Sequence, residues 1–132
     1  MKYTILFILT LFIFISCKQE FASKEIEKSY NSVMHVHDEV MPELNTIHHL
    51  RKKLKPYKKS NEEVLNLMDN LEKADDGMMI WMREFDLDKS ATESMQLDYL
   101  NDEQTKINKV SEDMKSSIAN AQEFLNVIKE AQ

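Results

Sequence analysis

The fold is decided by residues 24–55, which read KEIEKSYNSVMHVHDEVMPELNTIHHLRKKLK. Apolar side chains recur in this stretch at alternating intervals of four and three residues, from Ile26 to Leu54. That spacing is typical of a coiled-coil-like helix whose apolar seam packs against neighbouring helices. Only His37 and Arg51 interrupt the seam, so we expect one long helix with a single buried face.

The ends and the middle of this helix are marked by specific residues. Ser23 is the expected N-cap, because its hydroxyl can accept a hydrogen bond from a free amide of the first turn. Pro42 predicts a kink, since its ring clashes with the carbonyl of Asp38 and it has no amide hydrogen to donate. Pro56 disfavours helical geometry at Lys55, so the helix should end there.

A second helix is predicted over about residues 61–86. Ser60 and Glu63 have the spacing of a capping box, which should begin it. The apolar phase continues through Gly77, so we expect one unbroken helix in which a neighbouring element approaches the backbone closely at this glycine. The seam consists of Val64, Leu67, Leu71, Ala74, Met78, Trp81 and Phe85.

A third helix is predicted over about residues 91–130. Ser90 and Glu93 form another capping box, but the apolar seam becomes clear only at Tyr99. The sequence leaves open whether residues 91–98 form a separate helical turn or the first turns of this helix. The seam consists of Tyr99, Leu100, Ile107, Val110, Met114, Ile118, Ala121, Leu125 and Ile128.

The composition favours a fold built from helices alone. One glycine and two prolines provide almost none of the turns that a sheet needs. We therefore expect an all-α fold over residues 24–132, an antiparallel (up-down-up) three-helix bundle with helices of about 24–55, 61–86 and 91–130. A third helix starting at Ser90 would carry residues 118–128 beyond the other two, where a second copy or another partner would have to cover them. A start near Tyr99 would let the bundle close alone.

The first seventeen residues resemble a bacterial lipoprotein signal. Lys2 precedes a short apolar run that is less than the ~20 residues of a membrane span and ends in Phe14-Ile-Ser-Cys17, a lipobox-like sequence. The resemblance implies that residues 1–16 are a signal peptide, that Cys17 is lipidated, and that residues 17–23 tether the domain. Because Lys18 rather than aspartate follows the cysteine, we expect attachment to the outer membrane, facing the periplasm.

The charge of the chain argues against nucleic acid as a partner. The formal net charge is −6, and the Lys/Arg cluster at Arg51-Lys52-Lys53-Leu54-Lys55 is short. A nucleic-acid surface needs a broad basic face. Cations at a helix C-terminus are also explained by the helix dipole.

Methionine, histidine and tryptophan fall together when the first two helices are paired about a loop near residue 58. Antiparallel pairing predicts that Met34 lies level with Met82, His37 with Met79, and Met41 with Asp75. The layer contains the possible soft-metal ligands Met34, His37, Met41, Met78 and Met82, with Trp81 beside them.

Two interpretations of this layer stay open. Thioether and imidazole ligands suit Cu(I), and Trp81 could shield the ion. The same side chains at seam spacing also suit an ordinary core, because methionine fills irregular gaps. In that case no cofactor is bound, and His37 is a core histidine whose ring nitrogen is held by Asp38 or by Asp75.

Two segments resemble a family of small lipoproteins from flavobacteria and their relatives, often labelled "viral A-type inclusion protein". They are Met34-His-Val-His-Asp-Glu-Val-Met-Pro42 and Met78-Met-Ile-Trp-Met-Arg-Glu-Phe85, followed by Tyr99-Leu100 and the seam to Leu125. The resemblance implies a lipoprotein with a helical bundle, and it implies no activity, cofactor or catalytic residue.

We expect a protein that is not an enzyme, since the sequence has no phosphate loop, activated nucleophile or HExxH-type motif. The leading hypothesis is a lipid-anchored interaction or structural module that binds an unknown protein or itself through apolar helical grooves. The alternatives are a periplasmic copper-binding protein and a periplasmic stress or chaperone-like module with a concave apolar face.

Overall fold

Three helical rods make up the fold. The computed structural model describes residues 21–89 and 92–131, and regular structure in that part of the chain is helical throughout. The predicted signal peptide, Cys17 and the first residues of the predicted tether lie outside the described residues. The helices are α1 (Lys24–Val40), α2 (Glu43–Leu54), α3 (Glu62–Glu84) and α4 (Glu93–Glu130), with 3₁₀ segments at Lys55–Ser60 and Leu87–Lys89.

The first rod consists of α1 and α2, which are separated by the kink predicted at Pro42. The amide of Met41 still donates to the carbonyl of His37 at 2.8 Å, and α2 begins at Glu43. Proline has no amide hydrogen, so the helical ladder is interrupted there. The apolar phase nevertheless continues across the kink, because Val40 and Ile47 are both fully buried. The rod therefore bends without losing its buried face.

The core follows a seven-residue repeat along this rod. The fully buried set recurs every seven residues and consists of Ile26, Val33, Val40, Ile47 and Leu54. The positions between them border the core as half-buried side chains, namely Tyr30, His37, Leu44 and Arg51. Leu50 is buried as well. The bundle is the up-down-up three-helix arrangement predicted by the seams: the contacts Tyr30–Phe85 and His48–Asp75 set α3 antiparallel to the first rod, and Tyr57–Phe124 sets α4 parallel to it.

The helix α4 buries a wider face than its apolar seam predicts. Three polar side chains on it are buried, those of Glu103, Ser111 and Ser117. Because α4 packs against α1, α2 and α3, more of its circumference is enclosed. The buried hydroxyl of Ser117 donates a hydrogen bond to the carbonyl of Met114 at 3.0 Å.

One of the three expected N-caps is confirmed and two are displaced. Ser23 accepts from the amide of Ile26 at 3.3 Å, as predicted. Ser60 does not cap α3, because it belongs to the preceding 3₁₀ segment; the extended residue Asn61 accepts from the amide of Glu63 at 3.0 Å instead. Thr92, rather than Ser90, caps α4, and Ser90 lies outside the described residues.

The helix α4 starts early, at Glu93, and its C-terminal part is nevertheless covered by the rest of the bundle. The expectation that a start near Ser90 would leave residues 118–128 to be covered by a partner is therefore corrected. Ala121 is fully buried, and Phe124 packs edge-on against Tyr57 with ring centroids 6.4 Å apart. The 3₁₀ segment Lys55–Ser60 lengthens the first rod and so supplies this cover. Only near Val127, which is 61% exposed, does the apolar pattern reach solvent.

Gly77 lies inside the continuous helix α3, as predicted, but no element approaches it closely. A Cβ added there would have as its nearest neighbour a methyl carbon of Val110, at 4.0 Å. That is an ordinary van der Waals distance, so packing does not require glycine at this position.

Candidate functional site

The Met/His/Trp layer is centred on His37 and Trp81. The two rings, from α1 and α3, have centroids 5.6 Å apart and planes inclined by 33°. Trp81 is only 5% exposed, and its indole Nε1 has no hydrogen-bond partner in the described part of the chain. Packing, rather than a hydrogen bond, therefore fixes the indole.

The methionines of this layer differ in burial. Met78 is fully buried in the core, whereas Met34, Met41 and Met82 are half-buried and pack against it. Met79, expected level with His37, is half exposed. Within residues 21–89 and 92–131, no three His, Cys, Asp or Glu side chains converge as a possible metal site.

His37 is held by the nearer of its two expected partners. Its Nδ1 lies 2.8 Å from Oδ1 of Asp38, and the histidine side chain is 16% exposed. The other ring nitrogen, Nε2, has no hydrogen-bond partner among the described residues. Since one nitrogen is engaged by a carboxylate, the tautomer with a free Nε2 lone pair is favoured.

Asp75 belongs to a different cluster, which joins α2 to α3. Its Oδ2 lies 2.9 Å from Nε2 of His48 and 3.9 Å from Nη1 of Arg51. Arg51 also contacts Glu72, with Nη2 and Oε2 3.0 Å apart. Asp75 therefore contacts these two side chains of α2 rather than Met41 or His37. The pairing about residue 58 predicted Met41 level with Asp75, and the register of α2 against α3 differs from it.

Five aromatic rings surround the place where the chain enters the bundle, and we call them the aromatic cluster: Phe21, Tyr30, Trp81, Phe85 and Tyr99. Phe85 is central, with centroids 5.0 Å from Trp81, 6.0 Å from Tyr99 and 6.1 Å from Tyr30. Phe21 extends the cluster to the first described residue, 5.0 Å from Tyr30. The seam positions of Tyr30, Phe85 and Tyr99 were visible in the sequence, but their meeting depends on the register of three helices.

Two polar groups stabilise this end of the molecule. The backbone amide of Asp86 donates to Oη of Tyr99 at 2.7 Å, which fixes the connection after α3. Burial raises the pKa of Tyr99, although this hydrogen bond opposes the rise. Glu103 is 5% exposed and accepts from Nζ of Lys106 at 2.7 Å, a contact that raises the pKa of the lysine.

The opposite end of the bundle is basic. Residues 51–59, which we call the basic end, contain six cations and no carboxylate. Five of the six are exposed lysines that form no ion pair with any described residue: Lys52, Lys53, Lys55, Lys58 and Lys59. Sequence analysis found only the first part of this surface, because Pro56 appeared to separate Lys58 and Lys59 from the helix.

Four of the seven lysines elsewhere on the described α-helices are paired. Lys73 contacts Asp69, Lys115 contacts Glu39 and Lys109 contacts Asp113. The hydrogen bond from Lys115, at 2.8 Å, lowers the pKa of Glu39. Among the described residues, the basic end therefore holds the largest group of unpaired lysines; Lys24, Lys28 and Lys129 are the others on the α-helices.

Two further findings concern the molecule as a whole. The described helices include none with the length and apolar content needed to cross a bilayer. Comparison of the chain with protein-family models, with curated proteins and with solved structures found no match.

Proposed function

We propose that this protein is a lipid-anchored helical bundle of the bacterial cell envelope that acts as a non-enzymatic interaction module. Its N-terminal sequence supports the anchor, since Phe14-Ile-Ser-Cys17 resembles a lipobox. Lipidation with two or three chains would hold it stably, because each buried CH₂ contributes about 0.8 kcal/mol. We place it at the outer membrane, facing the periplasm, and we propose no nucleic-acid partner.

The interaction role is supported by the distance between the aromatic cluster at one end of the bundle and the basic end at the other. The chain enters beside the aromatic cluster, and the unpaired lysines lie beyond the other end of the α1–α2 rod. At 1.5 Å per residue, this rod is roughly 45 Å long. A bundle tethered at Cys17 would thus hold its basic end well away from the anchor.

The anchor is tested by metabolic labelling with a palmitate analogue and by membrane fractionation of the full-length chain. We expect label in the membrane fraction that only detergent releases, and no label for Cys17→Ser. Label on the Cys17→Ser variant, or release of the wild type by salt alone, would contradict lipid anchoring.

The interaction role is tested by crosslinking in intact cells, followed by pulldown of the lipidated protein. A specific protein partner or a crosslinked dimer supports it. Exposed apolar side chains that such a partner could cover include Met79, Ile80 and Val127. Recovery of the wild type as an uncrosslinked monomer would count against it.

A copper-binding function is a second candidate, favoured by the geometry of His37. Its Nδ1 contacts Asp38, an arrangement common for metal-ligating histidines, and this leaves Nε2 for an ion. Met34, Met41, Met78 and Met82 would be the candidate thioether ligands. Anaerobic Cu(I) titration should then quench the single tryptophan, Trp81, near one equivalent. His37→Ala and Met82→Ala should abolish this, and an unchanged melting temperature with copper would refute it.

A further inference from the structure

We propose that the basic end docks on an anionic lipid bilayer. The five free lysines occupy the last turn of α2 and the 3₁₀ segment that follows it. A helix C-terminus carries only about half a negative charge, so six cations far exceed what the dipole needs. Carboxylates are plentiful elsewhere, with 23 acidic against 17 basic residues in the chain. The free lysines therefore form a surface that has its counter-charge outside the molecule.

The backbone that presents these lysines is fixed by packing. Leu54 is fully buried, and Tyr57 is half-buried against Phe124 of α4. Between these inward positions, Lys52, Lys53, Lys55, Lys58 and Lys59 are exposed. Because the apolar side chains point inward, docking would be electrostatic, without insertion into the hydrocarbon layer.

A planar partner fits this surface better than a long polyanion. A strand lying along the bundle would meet exposed carboxylates with no ion-pair partner among the described residues, such as Asp76 and Glu112, whereas a plane met end-on touches the lysines first. Glu62 and Glu63 at the start of α3, with Glu123 and Glu130 at the end of α4, reduce the positive charge without cancelling it, since residues 51–63 and 123–130 together hold seven cations and four carboxylates. Lysine also suits a diffuse anionic surface, because arginine is the residue of bidentate phosphate sites.

The inference rests on the proposed location in the cell envelope, which supplies the membrane that the basic end would meet. Its test does not depend on lipidation. The protein used begins at Lys18, since the described core lies within residues 21–131. It is sedimented with vesicles of phosphatidylcholine alone or mixed with phosphatidylglycerol. We expect binding only to the anionic vesicles, weakening as salt is raised.

Two variants of equal net charge locate the interaction. The first replaces Lys52, Lys53, Lys55, Lys58 and Lys59 by Gln. The second replaces five lysines away from this end by Gln: Lys24, Lys28, Lys73, Lys109 and Lys115. One lysine near an anionic bilayer strengthens binding by about fivefold, so the first variant should bind at least tenfold more weakly while the second stays near wild type. Circular dichroism and melting curves establish that both variants fold.

Several outcomes would overturn the proposal. They are no binding of the wild type to anionic vesicles, equal losses in the two variants, and binding to a soluble polyanion such as dextran sulfate but not to vesicles. Absence of label on Cys17 would instead reject the anchor alone, because the vesicle assay uses a chain without it.

Discussion

The two ends of the bundle contain different side chains and meet solvent in different ways. At the entry of the chain, the aromatic cluster joins α1, α3 and α4 through successive ring contacts of 5.0–6.1 Å. At the basic end, one ring pair, Tyr57 and Phe124, fixes the backbone while the lysines remain exposed. One end is therefore held together by ring packing, whereas the other leaves its lysines exposed to solvent.

The largest expected effect comes from the aromatic cluster. Trp81→Ala should destabilise the bundle by about 3–5 kcal/mol, because it empties a buried position between His37 and Phe85. The matched change at the other end, Tyr57→Ala, removes a half-buried ring with one aromatic contact and should have a clearly smaller effect. Urea unfolding measures both, and equal losses would contradict the division between the ends.

Two ion pairs on α4 have similar geometry but should differ in how much they contribute to the free energy of unfolding. Lys106→Met should cost about 1–3 kcal/mol, since it leaves the buried carboxylate of Glu103 without a partner. Lys109→Met should cost clearly less, because its partner Asp113 is 51% exposed and solvent screens the pair. Melting curves of the two variants give the comparison directly. If the losses are equal, the burial of Glu103 has no energetic consequence.

In the middle of the bundle, Gly77→Ala should stabilise the protein by about 1 kcal/mol. Alanine has the better helix propensity and restricts the unfolded chain, and its Cβ would meet only Val110 at 4.0 Å. The urea midpoint should rise with an unchanged slope. A decrease in the urea midpoint would instead indicate that packing requires glycine at position 77.

The smallest effect concerns pH and the pair between α1 and α4. Lys115 lowers the pKa of Glu39, so this group contributes stability above its unfolded pKa and loses it as pH falls through the lower folded pKa. Glu39→Gln should therefore be slightly less stable than the wild type at neutral pH and equally stable in acid. Urea midpoints at several pH values test this, and a constant difference would show that the ion pair has no such role.

The local features of the fold were predicted from individual residues, and the exceptions have identifiable causes. Ser23, Pro42 and the α3 seam behave as predicted because each depends on a few neighbours along the chain. The cap at Asn61 was missed because the chain after Leu54 continues as a 3₁₀ helix through Ser60. The burial of Glu103 was missed because a charged residue gives no apolar signal.

The candidate sites were less predictable than the helices. The pairing of two seams about one loop placed Trp81 in the layer of His37 but put Met79 level with the histidine, and the Asp38 contact was one of two alternatives. The pairing of Asp75 with His48 and Arg51 was missed because it depends on the register of α2 against α3, which the seams alone do not set. The expected lipidation of Cys17 and the identity of a partner stay predictions.

The sequence by itself determined the helices, their apolar faces and their antiparallel order, because periodicity and scarce glycine and proline act through short-range geometry. Only the tertiary structure decided the register that assembles the aromatic cluster and the coverage of α4 by the 3₁₀ segment. It also decided which lysines find carboxylates and which stay free. Those outcomes depend on residues distant in the chain, and a small axial shift between helices changes which side chains meet.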